Sequence, residues 1–201
     1  MTKNPFKFSL VLFAITLLLF LGVYYFFANE NYWQTSVSIN SFVLPILYAV
    51  VTFLAVKSYR DDLGGRITFR QAFQRSFLTL FVGGFLSLFS IFLFLNYVDS
   101  NARDLLNYQF VQIQENKLEE AKATQLSDIE KMQDASKKEE FLQKYKDYKL
   151  GIEAAKKNKT NYFSLRYLSG IFGVFILFYL FLSIAIAAFL KNKKRYEELE
   201  N

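Results

Sequence analysis

The chain has 201 residues, a net charge of +6 and an apolar share of 53 %, with 24 Phe and 13 Tyr among its aromatics. One soluble core of this size cannot hide that much aromatic surface, and with charged residues still at 21 % the chain must be segregated into apolar and polar blocks. The absence of Cys and His removes disulfides, thiolate nucleophiles, the commonest metal ligand and the commonest general base, so composition points away from an enzyme while leaving carboxylate chemistry open.

A spanning helix needs roughly 20 apolar residues, because the hydrocarbon core is about 30 Å thick and each helical residue rises ~1.5 Å. Four uncharged windows meet this and predict spans over about 8–28, 37–56, 76–98 and 167–190. In lipid the backbone has no water to bond, so each is expected to be helical. The first has a basic start in Lys3 and Lys7, as a signal peptide would. Its length, and the lack of a small-x-small cleavage pattern, predict an uncleaved span instead.

Basic residues in short loops set orientation. They gather at the N-terminus, in the loop Lys57–Arg75 with Lys57, Arg60, Arg66, Arg70 and Arg75, and after the last span with Lys191, Lys193, Lys194 and Arg195. With an even number of spans these segments share one side. Both termini are therefore expected in the cytoplasm, with residues 99–159 outside. Tyr24, Tyr25, Tyr32, Trp33, Tyr97, Tyr162 and Tyr167 lie where interfacial anchors belong on the outer side. The positive charge beside apolar segments suits anionic lipid head groups and not nucleic acid.

The second loop is the most patterned short stretch. Gly64-Gly65 marks a turn, and Thr68 with Gln71 fits a capping box. Phe69, Ala72, Phe73, Phe77 and Leu80 then recur at helical spacing, with Arg66, Arg70 and Arg75 mainly off that stripe. This predicts a basic amphipathic helix running from the interface into the third span. Its expected role is contact between Arg66, Arg70, Arg75, Lys191, Lys193, Lys194 and lipid head groups, the alternative being docking of an acidic partner. The glycine turn, the run Ile67-Thr-Phe-Arg-Gln-Ala-Phe73, the Gly-Gly-containing span ending in Asn96-Tyr-Val-Asp99, the basic Phe-rich start and the Lys-rich tail resemble the DUF4199 family of small membrane proteins from Bacteroidota. The resemblance covers nearly the whole chain and is most specific over Gly65–Asp99. It implies an inner-membrane location and no assigned activity.

The windows hold no Asp, Glu, Lys or Arg, which argues against a proton-coupled transporter. Their polar residues include Thr16, Thr52, Thr79, Ser87, Ser90, Ser183 and Asn96. Small residues form strips: Gly83, Gly84, Ser87 and Ser90 on the third span, Gly170 and Gly173 on the fourth, Ser41, Pro45 and Ala49 on the second. Such strips let backbones approach, so they are expected to face inward in a four-helix bundle, the alternative being a homodimer interface. Pro45 is expected to kink the second span.

Residues 99–159 carry 12 Lys/Arg and 12 Asp/Glu, no Pro and one Gly. Val98, Ala102, Leu105, Leu106, Phe110, Ile113, Leu118 and Ala121 continue the helical rhythm of the third span, and Phe141, Tyr145, Tyr148, Ile152 and Ala155 form a second stripe. Ser127–Glu130 and Ser136–Glu139 fit capping boxes. A helical hairpin joined near Thr124–Ser136 is predicted. Its stripes either bury each other or bind another membrane or periplasmic protein.

No phosphate loop, nucleophile elbow, zinc motif or calcium loop is present, and no cofactor is expected. Asp61-Asp62, Asp99 and Asp104 are read as capping or solvated carboxylates. The fold expected is all-α: a four-helix transmembrane bundle from 1–98 and 160–201, with an extramembrane helical hairpin between spans 3 and 4. The function expected is non-enzymatic, an accessory or scaffolding subunit; the alternative is a small oligomeric transporter or channel.

Overall fold

The computed structural model describes residues 4, 6–132 and 135–192. Among these the chain is helical, without strands. In order come α1 (Lys7–Phe27), α2 (Tyr32–Ser38), a π-helical turn (Ile39–Val43), α3 (Leu44–Asp62), α4 (Phe69–Leu93), a second π turn (Phe94–Val98), α5 (Ser100–Met132), α6 (Ala135–Lys157) and α7 (Leu165–Leu190). Four helical stretches are long and apolar enough to cross a membrane: Lys7–Phe27, Tyr32–Asp62, Phe69–Val98 and Leu165–Leu190. The second begins five residues before the expected start.

α4 is the spine of the bundle and packs against α1, α3 and α7. Its buried face is Ala72, Arg75, Ser76, Thr79, Leu80, Gly83, Gly84 and Ser87, an unbroken i, i+3, i+4 stripe of mostly small side chains. The expected Phe stripe is thus displaced: Phe69 and Phe85 are exposed, and Phe73 and Phe77 flank the core. In lipid the small face packs and the bulky face is left to the acyl chains.

The entry to α4 follows the local rules read from sequence. Gly64 and Gly65 adopt φ of +74° and +84°, which L side chains rarely adopt. Thr68 Oγ1 accepts from the Gln71 amide at 3.3 Å, and Gln71 Oε1 accepts from the Thr68 amide at 3.0 Å. Asn192, just past α7, closes this loop: its Oδ1 accepts from the Ile67 amide at 2.7 Å and its own amide donates to the Ile67 carbonyl at 3.2 Å.

Pro45 takes the second position of α3, directly after the first π turn. The proline cannot donate to the carbonyl four residues back, and the wider turn before it absorbs that fault. The second π turn hands span 3 over to the hairpin, with the Asp99 amide donating to the Phe94 carbonyl at 2.9 Å.

The hairpin is present, with one correction to its expected capping boxes. α5 runs unbroken through Ser127, so Ser127–Glu130 caps no helix start, and Ser136 falls in the first turn of α6. α5 ends at Met132 and α6 begins at Ala135, inside the Thr124–Ser136 stretch where the joint was expected; residues 133 and 134 lie outside the described residues.

Candidate functional site: the hairpin and its root

The base of α5 is fastened to both neighbouring loops. Asp99 caps it: its Oδ1 accepts from the Asn101 and Ala102 amides at 3.0 and 3.1 Å, while its Oδ2 accepts from the Tyr24 hydroxyl at 2.7 Å. These bonds, led by that from Tyr24, hold the Asp99 carboxyl below its ordinary range. Three turns on, Gln109 is 6 % exposed. Its Oε1 accepts from the Trp33 amide and its Nε2 donates to the Asn29 carbonyl, each at 2.7 Å. One side chain thereby uses both ends to tie the α1–α2 loop to the hairpin.

The loop before α7 is tied in the same way. Asn107 Oδ1 accepts from the Tyr162 amide at 3.1 Å. Asn96 Nδ2 donates to the Phe163 carbonyl and Asn161 Nδ2 donates to Asn96 Oδ1, both at 2.9 Å. Rings fill the space between: Trp33 to Phe110 at 4.8 Å, Phe110 to Tyr162 at 4.7 Å. Val23, Tyr32, Leu95, Ala102 and Leu106 form the apolar core below. Trp33 and Tyr162 are thus packing residues of the root, and Tyr32, 1 % exposed, is buried. Tyr25 and Tyr97, 74 % and 75 % exposed, remain free to act as interfacial anchors.

Beyond the root, α5 and α6 pair through polar contacts. The Tyr145 hydroxyl donates to Glu119 at 2.5 Å, Lys122 lies 4.6 Å over the Tyr145 ring, and Lys156 pairs with Glu115 at 2.6 Å. Between the helices lies an open groove of about 620 Å³, lined largely by apolar side chains including Phe110, Leu118, Tyr148, Ile152 and Ala155. The two stripes therefore bury each other only in part. Tyr148 and Leu150 are 68 % and 53 % exposed. The carboxylates flagged from sequence are not gathered into a site: Asp104 pairs with Arg103 at 2.7 Å, and Asp61 lies 4.0 Å from Arg60. Among the described residues no group of three or more Asp or Glu could hold a metal ion.

The basic residues divide. Arg66, Arg70 and Lys191 are exposed at the end of the bundle opposite the hairpin, with Lys191 5.8 Å over the Phe69 ring. Lys193 and Lys194 lie outside the described residues. Arg75 departs from the expected head-group role: it is 8 % exposed and turns inward, donating to the Asn4 carbonyl at 3.3 Å and lying 5.2 Å over the Tyr59 ring. The inward stripe through Ala72 and Ser76 carries position 75 with it.

The packing residues divide as well. A Cβ on Gly83 would lie 2.8 Å from Leu12, and one on Gly84 would collide with the Tyr179 hydroxyl. Ser87 is buried and donates to the Gly83 carbonyl at 2.8 Å. These three lie on the buried face of α4. Gly170 and Gly173 differ: nothing lies within 4 Å of a Cβ at either, and both face outward on α7.

Fold and hairpin together define a four-span helical membrane protein with a long extramembrane insert. Residues 7–192 match the family model of DUF4199, a protein of unknown function, and the chain belongs to that family. No curated protein and no solved structure matches it.

Proposed function

We propose that this chain is a non-enzymatic accessory or scaffolding protein of the bacterial inner membrane, presenting the α5–α6 hairpin outside to another protein. The observation that carries this reading is the root: Gln109, Asp99, Asn107 and Asn96 fix the hairpin to three segments of the bundle. An insert fixed in direction suits a docking arm better than a tether, because preorganisation lowers the entropy cost of binding. The partly open groove, with Tyr148 and Leu150 at the surface, supplies apolar anchors of the kind interfaces use.

The test is crosslinking in intact membranes followed by purification in mild detergent, comparing the wild type with Tyr148→Asp and Leu150→Asp. A partner captured by the wild type and lost from both variants, whose helicity is retained, supports the reading. A solitary monomer, or capture indifferent to both substitutions, counts against it.

A further inference from the structure

We infer that a lateral cleft between α3 and α7 holds the hydrocarbon tail of one membrane lipid. The two helices pack together in the half of the bundle away from the hairpin. There Val56 packs with Ile186, Ala187 and Leu190, and the Phe53 and Phe189 rings lie 6.2 Å apart. Nearer the hairpin side the Tyr48 and Tyr179 rings stack at 5.9 Å and 22°.

Toward the hairpin side the helices part. The cleft between them measures about 320 Å³, with Leu44 and Pro45 on one wall, Val174 and Phe175 on the other, and Gly84 and Ser87 behind. The π turn before Pro45 lies at its mouth. This volume is at the lower end of the roughly 300–1,000 Å³ typical of small-molecule sites.

Depth and chemistry select the occupant. Tyr48 lies about 24 Å along the helix from Tyr32 and about 21 Å from Asp62, so the floor of the cleft is near the middle of the membrane. Its rim runs into the lipid-facing surface, where Val174 is 64 % and Ile46 65 % exposed. Three of the polar side chains on its walls are bonded to their own helices, Thr16 to the Leu12 carbonyl at 2.8 Å, Ser87 to Gly83 at 2.8 Å and Asn40 to Ser36 at 2.7 Å, and the Tyr48 hydroxyl lies 3.4 Å from Thr16 Oγ1. A cleft lined mainly by apolar side chains, set at mid-membrane depth and open sideways to lipid takes a methylene chain rather than an ion or a sugar.

The test uses the full chain in phosphatidylethanolamine/phosphatidylglycerol vesicles doped with a phospholipid carrying a diazirine midway along one acyl chain. Irradiation and peptide mass spectrometry then read which residues are labelled. Label is expected on Tyr48, Ser87 and Tyr179, which are buried yet line the cleft, as well as on the exposed Phe89. Val174→Trp should remove the label from the first three and leave it on Phe89. Leu44→Trp, plugging from the opposite wall, should do the same if the first variant folds poorly. Label on Phe89 alone in the wild type, or cleft labelling unchanged by both plugs, overturns the inference.

Discussion

The side chain of Gln109 accepts a hydrogen bond from the Trp33 amide at 2.7 Å, joining the third turn of the hairpin to the connection between the first two spans. The same side chain donates to Asn29, so its removal strands a donor and an acceptor together. Leaving a buried polar group unpaired costs about 1–3 kcal/mol. Gln109→Leu is therefore expected to destabilise the root of the hairpin by that order. Hydrogen exchange should quicken in the first turns of α5, and the emission of Trp33, the sole Trp, should shift. Unchanged exchange there would remove Gln109 from the account.

Asp99 gives the root a pH dependence of known sign. Its folded pKa is depressed, so its stabilisation is fully present above the ordinary carboxylate value of about 3.9 and is lost as pH falls through the lower folded value. The root is expected to be insensitive between neutral pH and about 5 and to loosen in more acid solution. Asp99→Asn, which still caps a helix, should flatten that dependence. Exchange rates at the Asn101 and Ala102 amides measured against pH check both statements.

The small residues of α4 and α7 should respond oppositely to one added methyl. Gly84→Ala drives a Cβ into the Tyr179 hydroxyl, and overpacking of this kind costs roughly 1–3 kcal/mol. Tyr179→Leu in the same chain should recover part of the loss. Gly170→Ala meets open space and is expected to be neutral or slightly stabilising, as alanine favours the helix over glycine. Thermal unfolding in one detergent compares all four chains.

Within the hairpin, apolar packing should outweigh the ion pairs. Leu106 is 4 % exposed in the root core, and Leu106→Ala should cost about 2–5 kcal/mol. Lys156 and Glu115 are each nearly half exposed, and Lys156→Gln should change stability by less than about 1 kcal/mol. Equal effects from the two substitutions would contradict this ordering.

What the sequence discloses is what is local or long. The spans follow from apolar length, and the Gly64-Gly65 turn and the Thr68–Gln71 box follow from residues within a few positions of one another. The ties that fix the loops join residues far apart: Trp33 with Gln109 and Tyr24 with Asp99 at the root of the hairpin, Ile67 with Asn192 at the other end of the bundle. No periodicity announces such pairs. Arg75 was within reach, because the stripe of small residues on α4 passes through it. The aromatic stripe points the other way, since in water Phe would face inward, whereas in lipid it is left to the acyl chains. Gly170 and Gly173 show the converse, a small-residue motif with no neighbour close enough to use it.

The proposed orientation puts the hairpin outside the membrane and the α3–α4 loop in the cytoplasm, and the absence of native Cys allows a direct test. Leu150 and Arg70 are both exposed, one on the hairpin and the other at the opposite end of the bundle. In spheroplasts, an impermeant maleimide should label Leu150→Cys at once and Arg70→Cys only after the membrane is opened. Prompt labelling of Arg70→Cys with protection of Leu150→Cys would contradict the account.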